Sequence, residues 1–280
     1  MHADPKGPAF DPNPFSAMDV HHHPQVENKG FKEYFFEFLM IFLAVTLGFF
    51  AENIRENIAK HDRERQLMDQ MVEDLKRDTV DMHLHIHITQ TKVNAFDTLI
   101  GLIFKSRGER STDSDLQKMY YLYDRQSKGW GPHEPTTRTL NQLDKENGFG
   151  FIRKKDISDS ILAYKDLDET SVLLSDRFRS RQEDARIASQ DVFDYALFAD
   201  SVFSVASLGD FQKKVSSVEK FRKIKFELLT RDSKTLSIYG AKLMDAIIVL
   251  NTYLRRLQSK DKCALRLINA ITEQYGLARE

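Results

Sequence analysis

The sequence predicts an all-α protein in which a single transmembrane helix continues into a long stalk helix that packs with an antiparallel helical bundle. Three observations predict this fold class. Five of the seven prolines lie within the first 24 residues, so long proline-free stretches follow them. A strongly apolar run comes next. Beyond it, apolar residues recur at helical spacing and no run alternates convincingly as a strand would.

Length and charge limit the classes of function. The chain has 280 residues, 41 Lys and Arg against 42 Asp and Glu, and a formal net charge of -1. Nucleic-acid-binding proteins present a basic surface, so we expect no nucleic-acid partner. Cys263 is the sole cysteine, which excludes an internal disulfide and a zinc site built from four cysteines.

Residues 1–30 are predicted to form a disordered tail. They hold the proline cluster, three consecutive histidines at 21–23 and few large apolar side chains. A segment of this composition cannot bury enough apolar surface to offset the conformational entropy that folding would remove.

Residues 31–54 are predicted to be a transmembrane helix. The uncharged run Phe38–Ala51 would make only about 21 Å of helix, whereas the hydrocarbon core of a bilayer is about 30 Å thick. An extension to Tyr34–Ile54 reaches spanning length and takes in Glu37 and Glu52. The alternatives are a signal-peptide core, although no small-residue cleavage site follows it, and a buried helix of a soluble protein.

One face of this helix is small or polar. At about 100° per residue, Glu37, Ala44, Gly48 and Ala51 share a direction, and several phenylalanines lie roughly opposite. Small residues let two helices approach closely, so this span seam predicts packing against a second copy of the chain or another membrane protein. Glu37 would then face that partner rather than lipid.

Residues 55–106 are predicted to be the stalk. Strict 4-3 spacing from Ile54 to Ile103 selects 15 positions, 11 of them apolar, as in a coiled-coil seam. The seam would pair with a second copy, or it would fold back against a helix predicted at 156–206 and leave the protein monomeric. The charged segments 62–65 and 73–78 are interpreted as solvated faces. The seam positions are Ile54, Ile58, His61, Arg65, Met68, Val72, Leu75, Thr79, Met82, Ile86, Thr89, Val93, Phe96, Ile100 and Ile103.

Residues 107–280 are predicted to form the helical bundle domain. Asp113 or Ser114 would cap its first helix, and Gly148 and Gly276 would act as glycine stops at two helix ends. The expected helices are Leu116–Arg125, a helix from about Thr136 to Asn147, Asp156–Ala206, about Phe211–Thr230, Lys234–Gln258 and Lys260–Tyr275.

Few residues suggest chemistry. His83 and His87 are four residues apart on a helix and are weak candidates for a shared metal, because no third ligand follows from the spacing. The alternative is that they lie on the solvated side of the seam. Trp130, the sole tryptophan, would anchor a partner or pack into its own bundle. No phosphate-binding glycine loop, nucleophile elbow or Cys-His arrangement appears, so we expect no enzyme, catalytic residue or cofactor.

Several segments resemble a family of uncharacterised Bacteroidota membrane proteins with one N-terminal transmembrane helix and a helical domain. They are FFEFLMIFLAVTLGFFAENIRE, RERQLMDQMVEDLKRDT, TLNQLDKENGFGFIRKKDISDSILAYKDL and LINAITEQYGL. Leu143, Gly148 and Phe151-Ile152 match the family's helix stop, whereas Lys145-Glu146-Asn147 departs from its commoner serine-rich sequence. The resemblance implies a single-pass membrane protein and supplies no activity, cofactor or catalytic residue.

The side of the membrane stays open. Within about 18 residues, two lysines precede the span and four basic residues follow it, which favours a cytoplasmic C-terminal domain. A related family carries basic residues before its span, and this implies the opposite orientation.

The main hypothesis is a non-enzymatic, single-pass protein of the bacterial inner membrane. Its helical domain would act as a scaffold that associates with itself or binds a partner. One alternative is a membrane sensor or signalling module whose helical domain binds a ligand near Trp130. A further alternative is a metal-dependent enzyme that uses His83 and His87.

Overall fold

The protein is all-α, as predicted. The computed structural model describes residues 30–108, 111–127, 130–145, 148–194, 213 and 225–277. Over these residues the chain forms five α-helices, one 3-10 turn and a single isolated bridge between Phe193 and Leu228. The predicted tail lies outside the described residues except for Gly30. The elements are α1 (Phe31–Lys105), α2 (Asp113–Ser127), α3 (Arg138–Lys145), the 3-10 turn Gly148–Phe151, α4 (Lys155–Ser189) and α5 (Ser233–Tyr275).

The predicted span and stalk are one helix, α1. It contains no proline, and Gly48 and Gly101 are its only glycines, so no residue type that breaks a helix interrupts its hydrogen bonds. The chain divides into two units, Met1–Ile58 and Ala59–Glu280. In the first unit the described residues are the first part of α1, and in the second the remainder of α1 belongs to the bundle.

Within the bundle, α1 and α5 run antiparallel. The hydroxyl of Tyr275 donates to Glu64 Oε1 at 2.6 Å near one end of the pair. Gly240, near the start of α5, lies against the ring of Phe104 at the other end of α1. The residue numbers therefore rise along one helix as they fall along the other, which confirms antiparallel packing for this pair.

Helix α4 runs parallel to α1 and completes the three-helix packing. The Tyr164 hydroxyl donates to Asp78 Oδ2 at 2.8 Å, and further along the ring centroids of Phe178 and Phe96 lie 6.2 Å apart. Burial of apolar side chains from the three helices in two clusters is the main contribution to the stability of the bundle.

The two apolar clusters lie at successive levels of the bundle. The first includes Phe96, Phe178 and Leu243, with α2 and Phe193 packed beside them. The second includes Met71, Ile161 and Leu267. Trp130 and Ile86 are half-buried and touch both clusters.

The stalk seam is used inside the chain. From Met68 to Ile103 every seam position is buried except Ile86, which is half-buried, whereas the four positions before Met68 are exposed. The seam packs on α4 and on α5, so the folded-back arrangement is the one that the bundle contains. A coiled coil between two copies would have to use another surface of α1.

Helix α4 ends earlier than the predicted Ala206. It stops at Ser189, whose hydroxyl donates to the carbonyl of Arg186, and a turn follows in which the amide of Phe193 donates to the Ser189 carbonyl. The Phe193 ring then stacks on Tyr123 with centroids 4.5 Å apart. This aromatic packing is compatible with the turn after Ser189 and not with a continued helix. Residues 195–206 lie outside the described residues.

The two C-terminal segments were predicted as separate helices, and that prediction is wrong. Helix α5 is continuous through residues 258–262, and the polar Lys260 in this stretch is fully buried. The predicted helix to Thr230 is also wrong at its end: residues 225–230 are not helical, and Leu228 pairs with Phe193.

The helix caps differ from the prediction in two places. Thr112 caps α2, since its hydroxyl accepts from the amide of Asp115 while Asp115 accepts from the amide of Thr112. Gly276 has φ 58° and ends α5 in the left-handed conformation, as predicted. Gly148 does not adopt a positive φ. It is required because an added Cβ would lie 2.8 Å from the Cα of Leu143.

Gly148→Ala and Gly101→Ala form a matched pair of substitutions. We expect Gly148→Ala to destabilise the bundle by about 1–3 kcal/mol, because the methyl group would overlap the backbone of Leu143. At Gly101 nothing lies within 4 Å of an added Cβ, so alanine should stabilise the helix by about 0.5–1 kcal/mol. Urea unfolding monitored by circular dichroism gives both changes in the free energy of unfolding. Equal effects of the two substitutions would contradict the specific requirement for glycine at position 148.

Candidate functional site

The predicted span seam lies on an uncovered part of α1. Glu37, Ala44, Gly48 and Ala51 are all exposed, and nothing lies within 4 Å of a Cβ added at Gly48. The large apolar side chains around them, such as Phe42 at 53 % exposure, are exposed as well. One helix near the N-terminus is thus long and apolar enough to cross a membrane, and none of its apolar window is buried.

The two histidines predicted as a metal-binding pair have different surroundings. His83 Nε2 lies 3.2 Å from Asp261 Oδ2 on α5, while His87 is exposed. Over the residues that the structure describes, no group of three or more His, Cys, Asp or Glu side chains is placed to hold a metal ion. His83 therefore joins α1 to α5 through a carboxylate.

Trp130 packs within its own bundle. Its ring makes edge contacts with Phe178 and Tyr253, with centroids 4.8 and 5.1 Å away, and its indole N–H points to Thr89 Oγ1 at 3.4 Å. These contacts within the chain are sufficient to explain why the indole of Trp130 is half-buried. An additional role as a partner anchor stays a prediction.

The bundle contains a group of buried polar side chains that the sequence did not indicate. We call it the polar layer, and it consists of Asp78, His133, Tyr164, Asp168 and Lys260. The side chains come from α1, α4, α5 and the extended segment 130–137. That segment, which precedes α3, is called the strap below.

Lys260 and Asp168 form an ion pair inside the bundle, in which Lys260 is fully buried and the Asp168 side chain is 16 % exposed. The Lys260 side chain is completely inaccessible to solvent, and its Nζ donates to Asp168 Oδ1 at 2.6 Å. The same ammonium group lies 5.0 Å from the centre of the Tyr164 ring, which adds a cation-π contact. A buried ammonium group is tolerated only when it is paired and hydrogen-bonded in this way.

Tyr164 and Asp78 form the second pair of the layer. Asp78 Oδ2 accepts from the Tyr164 hydroxyl at 2.8 Å, and Asp78 Oδ1 accepts from the strap amide of Thr136, also at 2.8 Å. Burial first, and then the charge of Asp78, raise the pKa of Tyr164 well above its ordinary value. The phenol is therefore held as a hydrogen-bond donor.

His133 connects the strap to the layer. Its amide donates to the Tyr253 hydroxyl at 2.9 Å, and its Nδ1 lies 3.5 Å from Lys260 Nζ. Its ring contacts the ring of His85 edge-on at 5.7 Å, and its Nε2 is buried without a hydrogen-bond partner among the described residues. Burial, followed by the charge of Lys260, lowers the pKa of His133 from 6.5 to about 4.

Buried carboxylates of α1 hold the segment between α2 and α4. Glu64, Asp74 and Asp78 are each almost fully buried, and each accepts from a backbone N–H that lies beyond the strap or within it. The interpretation of segments 62–65 and 73–78 as solvated faces is therefore wrong at these three positions. The pairs are Thr136 N with Asp78 at 2.8 Å, Thr139 N with Asp74 at 3.1 Å and Arg153 N with Glu64 at 2.8 Å.

Chemically, the layer keeps protons and charges in fixed places inside an apolar environment. Its hydroxyl, carboxylates and ammonium group are engaged with one another or with backbone amides, and the side chains of Tyr164 and Lys260 have almost no access to solvent. This arrangement suits a structural or responsive role better than attack on a substrate, which requires an accessible reacting group.

Lys260→Met tests the ion pair. Removal of the ammonium group would leave the half-buried carboxylate of Asp168 without its partner, so we expect a loss of about 1.5–3 kcal/mol in the free energy of unfolding. The control is Lys165→Met, which removes a cation from the exposed pair with Asp144 and should cost under about 1 kcal/mol. Urea unfolding measures both, and Lys260→Met combined with Asp168→Leu should recover most of the loss. Equal effects of the two lysine substitutions would show that the pair of Lys260 and Asp168 contributes no more to stability than an exposed pair.

No protein-family model, curated protein or solved structure matches the chain. The resemblance to the Bacteroidota membrane proteins therefore stays a prediction.

Proposed function

We propose that the protein is a single-pass protein of the bacterial inner membrane, and that its helical bundle is a non-enzymatic scaffold that binds a partner or a second copy of the chain. The single observation that carries this proposal is the contrast along α1. Its described apolar residues up to Ile58 are exposed except Leu39, which is half-buried, while the same helix from Met68 to Ile103 buries every position of its apolar seam except the half-buried Ile86.

Solvent explains the contrast. An exposed run of Phe, Leu, Ile and Val of this length would drive aggregation in water, because large contiguous apolar patches are costly there. In a bilayer the same surface is matched by lipid tails, and the helix satisfies its own backbone hydrogen bonds. The described part of the bundle, by contrast, buries its apolar seam against its own helices.

Self-association in this proposal uses the span and not the stalk. The heptad seam is occupied by α4 and α5, so the seam of Ala44, Gly48 and Ala51 supplies the contact between copies or with another membrane protein. Glu37 would face the same contact, where a hydrogen-bonding partner lowers the cost of a carboxyl group in the membrane.

A sensor or signalling role is the second candidate, and one observation favours it. Polar groups from four segments converge beside Trp130, at the junction of the two apolar clusters. A change at this point would reach α1 directly through Asp78 and Thr89. Both candidates account for the exposed apolar helix, and the scaffold proposal is preferred because the side chains of Tyr164 and Lys260 in the polar layer have almost no access to solvent.

Two arginines in the apolar run should release the protein from membranes. We expect the wild type to stay in the pellet after an alkaline carbonate wash, and Leu43→Arg with Leu47→Arg to move into the supernatant. Each arginine at the centre of a span costs about 2.5–3.5 kcal/mol. The control is Val80→Arg with Leu84→Arg, at exposed apolar positions of α1 that belong to the bundle unit, and it should stay in the pellet. Wild-type protein in the supernatant would refute the membrane proposal.

Disulfide cross-linking tests the span seam. In a Cys263→Ser background, Ala51→Cys should give a cross-linked dimer in membranes, and Gly48→Leu should lower its yield several-fold because leucine keeps the helices apart. Phe49→Leu, on the opposite face, should leave the yield unchanged. A monomer throughout, or a yield indifferent to Gly48→Leu, would leave the seam without a role in self-association.

A further inference from the structure

The strap is attached to the bundle by hydrogen bonds and by the ring of Trp130, which packs on Phe178 and Tyr253. It is not helical, and its docking rests on the amides of His133 and Thr136, on the indole of Trp130 and on the buried imidazole of His133. All acceptors for these donors lie on α1 or α5. A segment held by a handful of hydrogen bonds opens at a much lower free-energy cost than the helices around it.

One group in this attachment is sensitive to protons. His133 is 94 % buried, and its two ring nitrogens leave no place for a second proton. Nδ1 faces the ammonium group of Lys260 at 3.5 Å, and Nε2 has no acceptor among the described residues. An imidazolium ion here would be a buried cation beside another cation, without a hydrogen-bond acceptor of its own.

The neighbouring charges do not offset this arrangement. Lys260 of α5 and His85 of α1 disfavour the charged imidazole, while Asp78 of α1 and Asp168 of α4 favour it. Both carboxylates are already engaged, Asp78 by Thr136 and Tyr164 and Asp168 by Lys260. Burial and the cations therefore prevail over the acids.

We propose that the strap is an acid-sensitive latch, which is docked across α1 and α5 when the imidazole of His133 is neutral and is released when that imidazole gains a proton. Release would free the amides of His133 and Thr136, withdraw Trp130 from both apolar clusters and open the polar layer to water. The latch belongs to the bundle unit and does not depend on the membrane anchor. A protein with this device would report acidification on its own side of a membrane through the packing of α1.

The pH window follows from the direction of the shift. Docking lowers the pKa of His133 from 6.5 to about 4, so the released strap binds a proton that the docked strap rejects. Docking is fully favoured above pH about 6.5, and its equilibrium constant falls as the pH drops toward about 4. Between pH 7 and pH 5 the expected fall is about 20-fold.

Hydrogen exchange measured by mass spectrometry tests the latch on the full chain in detergent micelles. After correction for the intrinsic effect of pH on exchange, the protection of a peptide covering residues 130–137 should fall about 20-fold between pH 7 and pH 5. Peptides from the middle of α4 and α5 should change far less. Protection of the strap that is independent of pH in this window would overturn the proposal, and so would an equal loss of protection in all helices.

Substitutions identify the responsible group. His133→Gln and His133→Phe cannot gain a proton at this position, so the strap should keep its pH 7 protection at pH 5 in either variant. Trp130, the sole tryptophan, shows by its emission maximum at pH 7 whether the strap is docked in each variant. His83→Gln and His87→Gln remove histidines from exposed positions of α1 and should retain the wild-type response. A response that persists in docked His133 variants would assign the effect to another titratable group, such as His85 or the carboxylates, and refute the latch.

Discussion

The fold depends on hydrogen bonds between buried carboxylates of α1 and backbone amides of the segment that joins α2 to α4. That segment crosses the bundle outside any long helix, so its N–H groups need acceptors, and an unpaired one would cost about 1–3 kcal/mol. The order of the pairs is informative: as the residue number rises along the segment, it falls along α1. The segment therefore runs antiparallel to α1 and returns the chain to the end at which α4 begins.

This return explains why α4 is parallel to α1. Two helices joined by a short loop lie antiparallel, whereas a parallel pair needs a connection that travels the length of the bundle. Asp78, Asp74 and Glu64 supply the fixed points of that connection, and the strap is its first part. The polar layer then follows from the same requirement, since Asp78 also accepts from Tyr164 of α4. One carboxylate thus joins α1, α4 and the strap.

The polar layer also limits how the helices slide. The two apolar clusters are similar in character, so apolar packing alone would tolerate a shift of α5 along α1 and α4 by one or two turns. Such a shift would place Lys260 against apolar side chains and leave Asp168 without its partner. Buried ionic groups add little net stability over an apolar replacement, but a misplaced one is costly. The layer therefore favours the register in which Lys260 meets Asp168 and Tyr164 meets Asp78.

Periodicity in the sequence predicted the helices better than their ends or their polar contacts. The apolar seam of α1 and the glycine stop at Gly276 follow from local rules; the seam is buried from Met68 to Ile103 apart from the half-buried Ile86, and Gly276 ends α5. The break near Lys260 was wrong because a local pattern assigns a lysine to solvent, whereas the position of Asp168, 92 residues away, draws it inward. Glu64, Asp74 and Asp78 flank the seam and look solvated for the same reason. Their acceptor role depends on amides of residues far along the chain, so no spacing in the sequence could have indicated it.

A buried layer of this kind makes the bundle responsive as well as specific. The stability of a purely apolar core depends little on pH, because such a core holds no group that binds protons. The layer holds the neutral imidazole of His133 beside the ammonium group of Lys260. Because His133 is itself part of the strap, a change in its protonation acts directly on the docking of the strap. The strap touches both apolar clusters through Trp130 and reaches α1 through Asp78 and Thr89. The polar contacts that fix the path of the chain are thus also the contacts through which acid can alter the packing of α1.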